Sequence, residues 1–134
     1  DYDQKIKDAV DAGDYPCTCI EITEDYFPRT RSGKADIEIE LVHFDRVIGS
    51  DEVIDELESC GLRPCELSEL AALGAQYPDL QRELQIVALG SVWCDEQGNR
   101  NVPFLGMYGT ERLLNLIWSD PDWLESYHFA AVSN

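Results

Sequence analysis

The side chains best suited to nucleophilic or metal chemistry are few in this sequence, and their spacing does not favour either. There are five cysteines and two histidines, and no two cysteines have the CxxC spacing of a redox or zinc site. His43 and His128 each lie in an alternating, strand-like run. A structural role is expected for His43, and either a structural role or a place on a binding surface for His128. The sequence therefore predicts no catalytic residue, no metal site and no cofactor.

The cysteines are predicted to be buried free thiols that behave as small hydrophobic side chains. This use of cysteine suits a reducing compartment or an anoxic habitat. A disulfide between Cys60 and Cys65, or between Cys17 and Cys19, is the alternative.

Carboxylates dominate the charge, with 27 Asp and Glu against 10 Lys and Arg and a net charge of −17. Such a chain repels nucleic acid and anionic membranes, so neither is predicted as a partner. No apolar run approaches the roughly 20 residues that span a bilayer, so no membrane insertion is expected. The charge is predicted to serve solubility or a salty environment, and an acidic partner-binding surface is the alternative.

Motifs for common enzyme classes are missing. There is no nucleophile elbow, phosphate loop, dinucleotide fingerprint or HExxH motif. With so many carboxylates, a pair at any given spacing carries no information about acid–base catalysis. The protein is therefore predicted not to be an enzyme.

The first half of the chain holds two strand patterns and three helix patterns. At 134 residues the chain has the length of one domain, of which residues 1–34 are predicted to form an N-terminal extension. A short helix is predicted from Asp3 to Ala12. Strands are predicted from Cys17 to Ile22 and from Ala35 to Phe44, because apolar and polar residues alternate there.

The other two helices follow directly. Ser50 is predicted to cap a helix whose first turn holds Asp51 and Glu52, which the helix dipole favours, and Gly61 is predicted to end it in a left-handed conformation. A four-residue turn then leads to a helix from Leu67 to about Gln76. These two helices are expected to form a compact helix–turn–helix unit.

The second half contains four β-type runs, which read QIVALGSVW, RNVPFLGM, RLLNLIW and SYHFAAV. Cys94 to Asn99 is predicted to form a hairpin loop with Gly98 at positive φ. Together the elements predict an α+β domain in which two helices pack on one side of an antiparallel sheet.

Aromatic residues concentrate between residues 106 and 128, which is therefore the candidate binding region. Within it, one face of a predicted strand is uniformly large and apolar and is expected to face the core: Leu114, Leu116 and Trp118. The opposite face is mixed and is expected to be exposed, as part of a patch with Met107 and Tyr108: Leu113, Asn115 and Ile117.

Several runs resemble the C-type lectin-fold variable proteins of diversity-generating retroelements, especially the small microbial and viral members. They are GLRPCELSELAALGAQYP, IVALGSVW, the step G-N-R-N-V-P-F-L, and LNLIWSDPDW followed by HFAAV, within residues 36–132. The resemblance implies a C-type lectin-like fold. It also implies that a reverse transcriptase rewrites adenine positions at the 3′ end of the gene, which changes exposed residues on a fixed scaffold.

The resemblance further assigns roles to residues. The scaffold positions would be Arg112, Leu114, Leu116, Trp118, Asp120, Asp122, Trp123, Phe129, Ala131 and Val132. The variable, ligand-binding positions would be Met107, Tyr108, Thr110, Glu111, Leu113, Asn115, Ile117, Ser119, Pro121, Leu124, Ser126 and Tyr127.

The residues of calcium-dependent sugar-binding lectins are only partly present. A Glu-Pro-Asn-like triplet is absent, and the usual Trp-Asn-Asp reads Trp118-Ser119-Asp120, which lacks the amide ligand. The domain is therefore predicted to be indifferent to calcium. An oxygen site made from Asp120 and Asp122 is the alternative.

The sequence thus predicts a ligand-binding protein whose target is a protein or another surface ligand and whose binding residues are diversified. Display on a virion or cell surface is expected, with a cytoplasmic location otherwise, and a monomer is favoured. The first alternative is a non-diversified structural or protein-interaction domain of such an assembly. The second is an oxidase that shares the lectin fold, for which the sequence supplies no recognisable reactive cysteines or copper ligands.

Overall fold

The computed structural model describes residues 2, 5–13, 15, 17–18 and 37–133. Four helices lie in this part of the chain: α1 (Ile6–Ala12), α2 (Ser50–Ser59), α3 (Leu67–Gln76) and α4 (Leu80–Glu83). Eight strands accompany them: β1 (Cys17–Thr18), β2 (Ile39–His43), β3 (Leu62–Pro64), β4 (Gln85–Val87), β5 (Trp93–Cys94), β6 (Arg100–Tyr108), β7 (Glu111–Trp118) and β8 (Tyr127–Ser133). The α+β class is confirmed.

All eight strands belong to one mixed sheet. The main order is β1-β7-β6-β4-β8-β2, while β3 also pairs with β8 and β5 with β6. Two pairs are parallel, β1 with β7 and β4 with β8. The prediction of a purely antiparallel sheet is therefore wrong. Parallel pairing needs a long crossover, and the chain between β4 and β8 supplies one by passing through β5, β6 and β7.

Helices cover both faces of the sheet, and each face has its own apolar cluster. Consecutive residues of β4 separate the two, since Ile86 lies in the first cluster and Val87 in the second. Helices α1 and α3 supply the first cluster, whereas α2 supplies Val53 and Leu57 to the second. The prediction of two helices on one side is wrong, because α2 and α3 bury their apolar stripes on opposite faces.

The segment between α2 and α3 explains this separation. Leu62–Pro64, predicted as part of a turn, forms strand β3 and pairs antiparallel with β8. The chain therefore passes through the sheet as β3 between the two helices, and no compact helix–turn–helix unit forms. The sequence of these three residues gives only a weak indication of a strand, because so short a segment becomes a strand only by pairing with a partner distant in the sequence.

Residues at the ends of helices and in the hairpin loop predicted the structure better than the pattern of Leu62–Pro64 did. Helix α3 has the predicted bounds and carries a capping box between Glu66 and Glu69. Gly61 has φ +75° after α2, which confirms the left-handed end, and Gly98 has φ +82° in the predicted hairpin. The expected cap is wrong, however: Gly49 is the N-cap of α2, and Ser50 is its first helical residue.

The N-terminal elements take part in this core. Ile6 and Val10 of α1 lie in the first cluster, and β1 pairs with β7. Strand β2 begins at Ile39, later than predicted. The predicted continuation of the first strand through Ile22 and the loop that follows lie outside the described residues.

Candidate functional site

An open groove of about 480 Å³ lies where β7 ends and the loop toward β8 begins. Its most prominent side chains are largely exposed, Trp118 at 56% and Leu124 at 60%. We call it the Trp118 groove and define it by its apolar lining residues: Leu116, Ile117, Trp118, Pro121, Trp123, Leu124 and Tyr127. Exposed aromatic and aliphatic side chains grouped in this way are typical of a binding surface.

Hydrogen bonds to the start of α2 anchor the loop between β7 and β8, which carries the groove. Trp123 is buried, and its Nε1 donates a hydrogen bond to Ser50 Oγ at 2.8 Å. Ser50 Oγ in turn donates to the carbonyl oxygen of Ser119 at 2.7 Å. The backbones of Ile48 and Trp123 exchange two hydrogen bonds, and the Trp123 ring packs edge-on against Tyr127 with centroids 5.1 Å apart. The first turn of α2 therefore fixes the position of the groove.

An acidic pocket of about 420 Å³ lies on the other side of the same loop, at the start of α2. Its charged lining residues, by which we define it, are Asp51, Glu52, Asp120, Asp122 and Arg100. With four carboxylates and one guanidinium, the lining has a formal charge of −3. Asp122 lines both the pocket and the Trp118 groove.

Two of these carboxylates are paired with arginines. Arg100 Nε lies 2.9 Å from Asp120 Oδ1, and Arg46 lies 2.7 Å from Glu52 Oε1. The hydrogen bonds from Arg100 hold the pKa of Asp120 below its ordinary value, and Asp120 raises that of Arg100. Asp120 therefore stays ionised and neutralised by Arg100.

The twelve residues predicted to bind ligand do not form one site. Those that line the Trp118 groove are Ile117, Pro121, Leu124 and Tyr127. Those at the opposite end of the β6–β7 hairpin are Met107, Tyr108, Thr110 and Glu111. The register of this hairpin puts Trp118 seven positions from Glu111, or roughly 23 Å along the strand. The predicted region is thus divided between two ends of one hairpin.

Exposure also varies among the twelve. The exposed residues are Tyr108, Thr110, Glu111, Pro121, Leu124 and Ser126. The half-buried residues are Met107, Leu113, Asn115, Ile117 and Tyr127. Ser119 is only 5% exposed, and its backbone N–H donates to Arg100 O at 2.9 Å. The expectation that Ser119 faces solvent is wrong, because the chain turns inward there to join β6.

The alternation predicted for β7 is present, but its two faces differ from the prediction. Leu114 is fully buried and Leu116 packs against the first cluster, whereas Trp118 is exposed, so its assignment to the core is wrong. Ile117, which was expected to be exposed, is half-buried and packs in part against the second cluster. Both faces of β7 are covered at its middle because helices lie on both sides of the sheet. Trp118, at the end of the strand, extends beyond the helices and is exposed.

The two histidines are neighbours across β2 and β8, which the sequence did not reveal. His43 and His128 are paired in register, and their rings stack with centroids 4.4 Å apart. His43 Nε2 donates to the carbonyl oxygen of Glu125. Burial and the neighbouring His43 lower the pKa of His128. The alternation of polar and apolar residues predicts that each histidine lies in a strand. It does not predict that they are neighbours, because that depends on the register between β2 and β8.

Three cysteines, Cys60, Cys65 and Cys94, are free thiols. Cys65 is buried, as predicted, and burial raises its pKa well above the ordinary thiol value. Cys60 and Cys94 are exposed, so the prediction of burial is wrong for both. The alternative bond between Cys60 and Cys65 is not formed. Cys19 lies outside the described residues, so its pairing with Cys17 stays a prediction.

Within the described part of the chain, no three His, Cys, Asp or Glu side chains are arranged to hold a metal ion. Asp120 uses one carboxylate oxygen to accept from Arg100 Nε and the other, at 3.4 Å, to accept from the Arg100 backbone N–H. Its contact with Arg100 weakens the alternative of an oxygen site shared with Asp122.

Comparison of the chain with models of protein families, with curated proteins and with solved structures finds no match. Among the helices that the structure describes, the longest have ten residues, and none is long and apolar enough to cross a membrane.

The sequence did not predict the contribution of α2 to the acidic pocket. Asp51 and Glu52 were interpreted only as favourable to the start of a helix, although they also line the acidic pocket. Two consecutive carboxylates ahead of an apolar stripe give no further signal. Their second role depends on the loop that Trp123 brings beside them.

Proposed function

We propose that this protein is a ligand-binding module that recognises a protein partner through the Trp118 groove. The observation that carries the proposal is the pair of large apolar side chains, Trp118 at the end of β7 and Leu124 on the loop that follows, each more than half exposed beside an anchored loop. A surface that is ordered before binding loses less conformational entropy when a partner arrives. Tryptophan is also among the residues that contribute most to protein–protein affinity.

The shape and chemistry of the groove favour a protein over a small substrate. The groove is open, whereas small-molecule sites enclose most of the ligand surface. Its lining is apolar except for Asp122, so it offers neither a nucleophile paired with a base nor a phosphate cradle. A side chain projecting from a partner protein fits an open apolar groove of this kind.

The test begins with selection of a displayed library of random 12-residue peptides on the immobilised full chain. Affinity of the selected peptides is then measured for the double variant Trp118→Ala/Leu124→Ser. We expect a loss of about tenfold or more, because both anchors are removed. The matched control, Tyr77→Ala/Val92→Ser, removes two apolar side chains of similar exposure outside the groove, and it should retain binding. Equal binding to both variants would overturn the proposal.

The resemblance to retroelement variable proteins supports a finer form of this proposal, in which the fold is C-type lectin-like and the binding residues are diversified. The lectin-like landmarks and the exposure of six of the twelve variable positions support it. The coding DNA tests it: an imperfect repeat of the 3′ end, with differences confined to adenines, should lie beside a reverse-transcriptase gene. The absence of both would exclude diversification and leave the binding proposal intact.

The alternative is a protein-interaction domain that uses the same groove without diversification. The buried position of Ser119 favours it, because a residue enclosed between β6 and the first turn of α2 tolerates little exchange. The mixed sheet with helices on both faces also departs from two helices on an antiparallel sheet. Replacing Ser119 with Leu distinguishes the two forms: a diversified position should retain cooperative unfolding, and a fixed one should lose stability.

A further inference from the structure

The Trp118 groove lies beside carboxylates, and these determine the charge of what can occupy it. We propose that the occupant is a basic segment of a partner protein, with an apolar side chain in the groove and a lysine or arginine beside Asp122. This inference rests on the proposed function and names the chemistry of the partner. It is carried by charge complementarity around an apolar surface.

Asp122 is central because it borders both cavities. Among the residues that the structure describes, Asp122 and Asp51 form no ion pair, whereas Glu52 and Asp120 are paired with arginines. Asp122 at the groove and Asp51 in the adjoining acidic pocket thus have lone pairs available to a cation, although Asp51 also contributes to the raised pKa of Arg100. A guanidinium or ammonium group of the partner would make charge-assisted hydrogen bonds there.

The position of Asp122 keeps this charge close to the apolar surface. A Cβ added to Gly49 would lie 3.2 Å from Asp122 Oδ1, so this carboxylate lies against the start of α2. The loop is anchored there by Trp123 and Ser50. Because one side of the loop is apolar and the other is acidic, a single short segment that crosses it can contact both.

The net charge of the whole chain also favours a basic partner. At −17 the protein attracts a basic partner from a distance and repels an acidic one. Long-range attraction is weakened by salt, since the screening length falls to about 8 Å at physiological ionic strength. Apolar contact in the groove is much less sensitive to salt, so the two contributions can be separated.

The experiment uses the same displayed 12-residue library on the full chain. The selected peptides should contain Lys or Arg in excess over the unselected library, next to a Trp, Phe or Leu. Their affinity is then measured for Asp51→Asn/Asp122→Asn, in which the free carboxylates become amides of the same shape. We expect affinity to fall about tenfold, and the remaining binding to become less sensitive to salt.

A matched control separates local from general attraction. Glu58→Gln/Glu83→Gln also removes two negative charges, and both residues are exposed and line neither cavity. This variant should bind within about twofold of the parent protein. An equal loss in both double variants would show that only the net charge matters, and would overturn the inference.

Failure of the inference differs from failure of the proposed function. Peptides that need Trp118 and Leu124 but contain no excess of Lys or Arg, and that tolerate Asp51→Asn/Asp122→Asn, would overturn the inference alone. Peptides that bind Trp118→Ala/Leu124→Ser as well as the parent protein would overturn both. Circular dichroism of each variant confirms that it is folded before its affinity is compared.

Discussion

Ser50 and Trp123 are 73 positions apart in the chain and are joined by a hydrogen bond of 2.8 Å from the indole N–H to the hydroxyl oxygen. The same hydroxyl donates to the carbonyl oxygen of Ser119. One side chain thus connects the first turn of a helix with the start and the middle of the loop that carries the candidate site.

The first prediction concerns this connection. Ser50→Ala leaves the buried indole N–H of Trp123 without its acceptor, so the free energy of unfolding should fall by about 1–3 kcal/mol. Ser68→Ala is the control, since Ser68 is half-buried in the first turn of α3 and forms no hydrogen bond through its side chain among the described residues. Urea denaturation measures both. If the two variants are equally stable, the Ser50 hydroxyl does not support the loop.

The second prediction contrasts the two ends of β7. Leu114 is fully buried, so Leu114→Ala should cost about 2–5 kcal/mol through lost burial and a cavity. Trp118→Ala should change the free energy of unfolding by less than about 1 kcal/mol, although it removes the larger side chain, because that ring is mostly exposed. Equilibrium denaturation of both variants tests this. A comparable loss in both would place Trp118 in the core.

The third prediction concerns the end of α2. Gly61 has φ +75°, and a Cβ built there meets no atom within 4 Å, so any cost of substitution comes from the backbone. Gly61→Val should therefore destabilise by more than about 1 kcal/mol, and Gly61→Asn by less, because asparagine tolerates the left-handed region. Similar denaturation midpoints for the parent protein and the valine variant would contradict this assignment.

The fourth prediction concerns the stacked histidines. The folded protein lowers the pKa of His128 from its ordinary 6.5, through burial and the nearby His43. The unfolded chain therefore binds the proton more readily, so this contribution to stability is present above pH 6.5 and is lost as the pH falls through the folded value.

The measurement is the free energy of unfolding between about pH 7.5 and about pH 5.5. The parent protein should lose more stability across this interval than His128→Gln, which has no imidazole to protonate at this position. Both proteins carry the same carboxylates and the same His43, so the difference between the two curves reports the imidazole at position 128. Parallel curves would show that the pKa of His128 is unchanged by folding.

The sequence predicted those elements that local signals define. Gly61 and the stretch Leu67–Gln76 carry their own end signals, so the helices there were placed correctly. Leu62–Pro64 carries no such signal, because it becomes a strand only by pairing with β8. Alternation along β7 showed which residues share a face, but not that a helix covers each face.

The candidate site was also predicted only in part, because it depends on contacts between distant parts of the chain. Leu124 and Tyr127 were included because the family resemblance pointed to them, whereas Trp118 was excluded by its apolar character. An exposed tryptophan at a strand end cannot be distinguished from a buried one by spacing alone. The sequence correctly predicts Asp51 in a helix, but its position in the acidic pocket depends on a loop from another part of the chain.

The order of the strands also constrains how this protein is made. Strand β8 (Tyr127–Ser133) lies between β4 and β2 and pairs with β3 as well, so three earlier strands depend on it. During synthesis those strands emerge from the ribosome long before their common partner does. The sheet therefore completes only after residue 133 has left the exit tunnel, and the unpaired edges of β2 and β4 are exposed to other nascent chains until then.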